Sequence, residues 1–399
     1  MNKNIGWVFF AAQAKPSSMR RAIAERLAER ERVVIVEQPV SLVRDRAFMP
    51  LKGRCIPFGK EGNSWHYRPL HFPEKLSGMG GIFRALNGKL IQKEIDRLLP
   101  PQADRIVCYD SPTQHPLVKK FRERKSVYLA IDDRTLSVSG ASIPGELEAE
   151  RKLLGRVDKV ICVSAPLAKT LGARLPKGRS IPLHILPNGY DERLFDPNRI
   201  WNEPLNLQPI PHPRVLVTGH LSERIDWKGI TDSIRKRPEW TWIFVGPADD
   251  GIPEKIKKIS KITWQSKQNI VWQNQIPIHE IPAWIAHVDA CAVPYQLNAF
   301  TLASSPLKAI EYLAMGAPVL STCIPALKSY EKLINWVEED DGNSYAQALD
   351  NVSEKGLHSV LARFFLDGIE SHSWKVKSRI FKGLVTEALS IQKDLSNTN

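Results

Sequence analysis

The sequence predicts an α/β protein of two Rossmann-like domains, and three observations carry that expectation. At 399 residues the chain exceeds one ordinary core, and two domains of roughly 150–200 residues are the natural division. Short apolar, β-branched runs alternate with helix-period segments along most of the chain, the pattern of parallel βαβ units. Between Asp196 and Arg214 stand Pro197, Pro204, Pro209, Pro211 and Pro213, which deny that stretch regular structure and make it a stiff linker near residue 205.

In chain order, strands are expected at Ile5–Ala12, Arg32–Gln38, Arg105–Tyr109, Ser126–Ile131, Lys159–Ser164 and His184–Pro187. Amphipathic helices are expected between them at Met19–Glu31, Thr113–Arg124, Pro144–Leu154 and Pro166–Ala173. Residues 39–104 fit the alternation poorly, with Trp65-His66-Tyr67-Arg68 and Gly78-Met79-Gly80-Gly81 in irregular order, and read as an insertion at the strand ends. The pattern restarts with strands at Val215–Gly219, Thr241–Gly246, Asn269–Gln273, Asp289–Tyr295 and Val319–Thr322. Its helices fall at Gly229–Lys236, Pro253–Ile259, Ile278–Ala286, Pro306–Met315 and Tyr345–Ser353, and His372–Leu395 reads as an amphipathic tail. The division expected is 1–200 for a first domain, 201–375 for a second, and 376–399 for a helix packing back on the first.

Composition narrows the class. Hydrophobic residues make up 43% and charged residues 25%, the balance of a globular chain. No run of about 18 uncharged apolar residues offers a membrane span, and the apolar start Ile5–Phe10 reads as a strand, not a signal peptide. The five cysteines are widely spaced and suggest neither a disulfide framework nor a zinc site, pointing to a reducing cytoplasm. Net charge is +13, and residues 1–100 alone hold 18 Lys/Arg against 9 Asp/Glu. Such an excess serves solubility, an anionic membrane face or an acidic acceptor. No nucleic-acid-binding signature accompanies it, so nucleic acid is not an expected partner.

The chemistry concentrates at Ala303–Ser321. Ser305 is placed to cap a helix that Pro306 opens, with Leu307, Ile310 and Ala314 as its apolar stripe and Gly316 and Pro318 as its stop. Lys308 and Glu311, three residues apart, share a face near the helix start. Free N–H groups, Ser304, Ser305 and Lys308 there suit a pyrophosphate, and Glu311 one turn on suits ribose hydroxyls. Taken alone, the same residues describe a well-capped helix with a surface ion pair. The preceding strand ends at Val293-Pro294-Tyr295, where open α/β sheets hold nucleotides. Gly246-Pro247-Ala248-Asp249-Asp250-Gly251 is not a dinucleotide fingerprint, and neither a P-loop nor a metal-ligand cluster is present.

Asp289–Tyr295 followed by Pro306–Val319 resembles the donor-binding block of GT-B glycosyltransferases. Ile185-Leu186-Pro187-Asn188-Gly189-Tyr190-Asp191 with Phe195 and Pro197, the stretch Glu150–Ser164, and Thr218-Gly219-His220-Leu221 with Asp226 resemble other blocks of that superfamily. The resemblance covers about residues 125–325 and is similar in detail to teichuronic-acid-type transferases and xanthan-assembly glucuronosyltransferases, whose Ser-Ser-x-x-Lys motif matches Ser304–Lys308. It implies two Rossmann-like domains facing across a cleft, a nucleotide-sugar donor, most simply UDP-linked, in the second domain, and a glycan or lipid-linked acceptor in the first.

Residues implied for the donor are Gly219, His220 and Arg224 in the opening loop, Gln275 and Ile276, Tyr295, Ser304, Ser305, Lys308 and Glu311. Many retaining members carry a second Glu eight residues before the Glu311 position, where this chain has Ala303. That departure favours inversion, which needs a general base on the first domain's side of the cleft. Asp132 at the end of strand Ser126–Ile131 is the candidate, with Asp133 as the fallback, although either could merely cap a turn. Arg20, Arg21, Asp110 and His115 lie near other strand ends, where an acceptor phosphate or carboxylate could meet them. The resemblance implies leaving-group stabilisation by Lys308, the helix dipole and Arg224 or His220, with no metal and no cofactor beyond the donor. A retaining transferase and a sugar-nucleotide epimerase of the same fold are the alternatives. Surface polysaccharide assembly on the inner membrane face is the expected setting.

Overall fold

The computed structural model describes residues 5–11, 19–37, 40–41, 54–58, 64–71, 80–252, 254–255, 269–355 and 368–396. The apolar runs of the first half become β1 (Ile5–Phe10), β2 (Arg32–Val36), β3 (Val40–Ser41), β4 (Arg54–Phe58), β5 (Ser64–Arg68), β6 (Leu70–His71), β7 (Asp104–Tyr109), β8 (Glu123–Ala130), β9 (Lys159–Cys162) and β10 (Leu183–Ile185). Eight of these form one sheet in the order β10-β9-β8-β7-β1-β2-β5-β4, while β3 and β6 pair separately. Neighbours run parallel except β4 against β5.

The second half forms β11 (Arg214–Thr218), β12 (Thr241–Val245), β13 (Ile270–Gln273), β14 (Ala290–Val293), β15 (Val319–Thr322) and β16 (Ile334–Val337). This sheet is wholly parallel in the order β13-β12-β11-β14-β15-β16. Numbered from its own first strand, that is 3-2-1-4-5-6, the doubly wound order whose direction reverses between β11 and β14. Every residue of β11, β12, β14 and β15 is buried, as expected of strands covered on both faces.

The covering helices are α1 (Met19–Leu27), α2 (Gly80–Leu98), α3 (Glu146–Leu154), α4 (Ala165–Arg174), α5 (Trp227–Lys236), α6 (Ile281–Ala286), α7 (Ala299–Ala303), α8 (Leu307–Ala314), α9 (Gly342–Lys355) and α10 (Trp374–Ser396). Helix α5 is representative: Asp226 caps it by accepting from Gly229 N at 2.8 Å, and Trp227, Ile230 and Ile234 point into the core.

Two expectations are corrected. Thr113–Arg124 is not a helix but a short 3₁₀ turn, Pro112–Leu117, that ends before β8. Pro112 and Pro116 remove backbone donors, and Lys119 and Arg122 take positive φ of 67° and 53°, which a helix cannot hold. The described part of 39–104 is not an insertion at the strand ends. It supplies β4 and β5 at the sheet's edge and the long return helix α2, with Trp65-His66-Tyr67-Arg68 lying inside β5. Irregular polarity there reflects an edge strand with one solvated face. The expected helix Pro253–Ile259 lies largely outside the described residues.

The Pro-rich stretch 196–213 holds turns without a strand or helix. The chain crosses back beside its first crossing, where Tyr190 N donates to His372 O at 3.1 Å and Trp374 N to Tyr190 O at 2.9 Å. Helix α10 then lays Phe381 and Val385 into the core that holds Trp7 and Phe9. Each fully buried side chain of that size contributes about 1.5–3 kcal/mol, so α10 is integral to the first sheet's packing.

Candidate functional site

The carboxyl ends of β11 and β14 flank the point where the second sheet reverses, and the loops leaving them converge on helix α8. Tyr312 ties this corner together: its hydroxyl accepts from Thr218 N at 2.8 Å and lies 2.7 Å from Thr218 Oγ1, joining α8 to the end of β11. Gly219 therefore passes beneath Lys308, whose Cε would stand 3.7 Å from a β-carbon at that glycine. Gly246, at the end of β12, has φ of +145°, and a β-carbon there would stand 1.9 Å from Gly219 O. Only glycine allows the two loops to cross so closely.

Helix α8 begins at Leu307 with Pro306 as its cap, so the cap is one residue later than expected and no side chain fills the role. The two serines are used differently. Ser304 Oγ donates to Thr301 O at 2.7 Å, and Asn188 Nδ2 donates to Ser305 O at 2.6 Å. Ser164 Oγ donates to Ala303 O, so both the cap of α4 and the 188 segment grip the backbone that leads into α8. Lys308 Nζ and Glu311 Oε2 pair at 2.8 Å, with the carboxylate almost wholly buried and the ammonium partly exposed. Burying a charge is tolerable here because its partner sits one turn away.

Glu311 and Leu307 also line a cavity of about 230 Å³ whose opposite wall is α1, through Arg21, Glu25 and Arg26. Arg26 is fixed there by Asp191 at 2.9 Å and Glu192 at 2.6 Å. Across the switch point, the Arg224 guanidinium lies 4.8 Å over the Tyr295 ring. His220 pairs with Asp249 at 2.7 Å, both half-exposed. Gln275 and Ile276 follow β13, Gln275 exposed and Ile276 half-buried, at the same edge of the sheet as Gly246.

The first domain faces this corner with the end of β8. Asp132 is half-buried there. Asp133 is turned inward and holds Arg174 by two bonds, 2.9 and 2.8 Å, while accepting from Thr135 Oγ1 at 2.6 Å. Burial pushes its pKa upward, but Arg174 and Thr135 prevail and hold it below the ordinary carboxylate value. Arg174 also bonds Glu150 at 2.7 Å, and Glu150 accepts from Tyr128 at 2.9 Å. Burial raises the Glu150 pKa despite Arg174. Asp133 thus has an anchoring place rather than one facing a substrate. Arg174 and Glu150 are the members of this cluster that sequence reasoning missed. Only Glu150, inside a quoted block, carried any signal.

Of the remaining candidates Arg21 lines the cavity with Glu311, and Arg20, Asp110 and His115 are not among its lining residues. Arg20 bonds Asp110, both buried, between α1 and the end of β7. Arg21 pairs with Glu25 at 2.7 Å, and the His115 carbonyl accepts from Arg156 at 2.9 Å. Among the described residues no group of three His, Cys, Asp or Glu could hold a metal ion, and no helix is long and apolar enough to cross a membrane.

Residues 212–355 match the family described as glycosyl transferases group 1. The chain is 26% identical over 206 residues to TuaH of Bacillus subtilis (strain 168), named as a teichuronic acid biosynthesis glycosyltransferase. That match spans 51% of this chain and 50% of the relative, about half of each. A structure described as trehalose-6-phosphate from E. coli bound with UDP-2-fluoro glucose superposes with a TM-score of 0.72 at 12% identity, over 95% of this chain and 98% of that one. The chain has the GT-B fold. A glycosyltransferase from Rickettsia africae ESF-5 gives a TM-score of 0.70 at 15% identity, over 98% and 99% of the two chains, and shares the fold. The group 1 match covers the whole second sheet and the α8 corner.

Proposed function

We propose that this protein transfers a sugar from a UDP-linked donor in the second domain to a hydroxyl of a glycan or lipid-linked acceptor in the first. The observation that carries the reading is the α8 corner: Lys308 and Glu311 at a helix start, beside Gly219, at the switch point of a 3-2-1-4-5-6 sheet. Helix N–H groups and Lys308 meet the diphosphate, and Glu311 accepts from ribose hydroxyls. Arg224 and His220 approach the phosphates from the opening loop, with the backbone at Gln275 and Ile276 and the Tyr295 ring framing the base. Asp132 deprotonates the acceptor hydroxyl, which attacks the anomeric carbon as UDP leaves with the bonding electrons.

Inversion is supported by Ala303. Its side chain is buried in the core of the first domain and its carbonyl is held by Ser164, so the position opens no space for a second cleft carboxylate. No residue is assigned to a metal. Placement at an anionic membrane face in surface polysaccharide assembly rests on the basic first hundred residues and on the relative's printed role.

A panel of sugar nucleotides screened for thermal stabilisation identifies the donor, because a ligand that binds the native state raises the apparent melting temperature. Product NMR then reads the anomeric configuration. Retention would overturn the inverting assignment, and donor conversion without acceptor would make the protein an epimerase. Salt-insensitive indifference to anionic liposomes would remove the membrane setting.

A further inference from the structure

Residues 133–143, directly after the candidate base, form a compact finger with its own hydrogen bonds. Ile143 N donates to Thr135 O at 2.8 Å, Ser137 N to Ala141 O at 2.8 Å, and Gly140 N to Ser137 O at 2.9 Å. The finger's root is Asp133, held by Arg174. Its tip reaches the other domain: Asn298 Nδ2 donates to Val138 O at 3.1 Å. Gly140 has φ of +83°, and a β-carbon there would come within 3.2 Å of Asn298 Cβ.

Asn298 faces two ways. Its Oδ1 accepts from Phe300 N at 2.9 Å and Thr301 N at 3.0 Å, capping α7, the helix that runs straight into Ser304–Lys308. Its Nδ2 grips the finger that begins beside Asp132. One amide therefore joins the start of the donor segment to the loop bearing the base.

We propose that Asn298 is a positioning residue that sets Asp132 by clasping the finger when the two domains meet. This rests on the assignment of Asp132 as base and of α8 as the donor helix. A finger stiffened by its internal hydrogen bonds passes displacement at its tip to its root, and the root adjoins the base. The amide can do both tasks at once through separate atoms, because capping needs an acceptor and clasping needs a donor.

That duality separates the tasks experimentally. Asn298→Asp keeps the capping oxygen and removes the clasping N–H, while Asn298→Ala removes both. Amide exchange at Ser137–Ala141 is measured without ligand, UDP affinity by calorimetry, and transfer kinetics with the donor identified by screening. For N298D we expect faster exchange at the finger, unchanged UDP affinity and donor KM, and kcat lowered about fivefold, the rate equivalent of one ordinary hydrogen bond. Gly140→Ala, which crowds Asn298 from the finger's side, should do the same. In N298A, UDP affinity falls as well. Wild-type exchange and kcat in N298D would overturn the proposal, as would loss of UDP affinity in N298D equal to that in N298A. If the wild-type protein bound no UDP, the donor assignment would fall instead, and the ligand-free exchange comparison would still decide the clasp.

Discussion

The two strand-end sites that face each other are built by opposite strategies. On the second domain, Lys308 and Glu311 neutralise one another within a single turn of α8, so the charges need no distant partner, and the distant contacts of Tyr312, Ser164 and Asn188 are neutral hydrogen bonds. On the first domain, Asp133, Arg174, Glu150 and Tyr128 form one buried ionic cluster assembled from a strand end, two helices and the strand itself. A locally paired site can tolerate change in its surroundings. A site held by long-range buried charges is rigid, and it fails as a unit when one member is lost.

The largest contrast should appear in catalysis. Asp132→Asn is expected to lower kcat by about 10²- to 10⁴-fold, the usual worth of a positioned base, while UDP affinity is retained. Full transfer activity in that variant would remove the base from the first domain and end the comparison. Arg174→Met tests rigidity. Two buried carboxylates lose their cation, so chemical denaturation should show a loss of about 3–5 kcal/mol. A variant as stable as the parent would mean that the cluster is already solvated. Glu311→Gln should weaken UDP binding by about tenfold, within the range for a hydrogen bond to a charged group, and barely change the melting temperature of the free protein. A smaller effect is expected at the crossing. His372 accepts from or donates to Tyr330 at 2.8 Å, and burial, aided by Lys377, lowers its pKa to about 4. Because the unfolded histidine titrates near 6.5, the unfolded state binds the extra proton between about pH 6.5 and 4. The stability that neutral His372 confers is present above that window and is lost as pH falls through it. Melting temperatures of His372→Phe should therefore change less between pH 7 and 4.5 than those of the parent.

The same contrast explains what could be read in the sequence. Strand and helix periodicity is local, so most elements of both sheets were visible as patterns. The stripe and the i,i+3 charges of α8 were visible for the same reason, since they lie within about a dozen residues, whereas the Ser305 cap was misplaced by one residue. Arg174 carried no such mark, since its partners are 24 and 41 positions away and only the folded sheet brings them together. Thr113–Arg124 was misread because its helical periodicity ignored Pro116, and β4 and β5 were hidden because edge strands lack a continuous apolar run. The Asn298 cap went unread, and nothing in its neighbours announced a contact with Val138.

The return helix α10 also governs the order of assembly during synthesis. Trp7 and Phe9 leave the ribosome early, yet Phe381 and Val385, which complete their packing, emerge only after the entire second sheet has been made. Domains ordinarily fold in the order of their synthesis. Here the first-made domain must keep part of its apolar face uncovered while the second folds to completion. The domain made second is the one able to finish first.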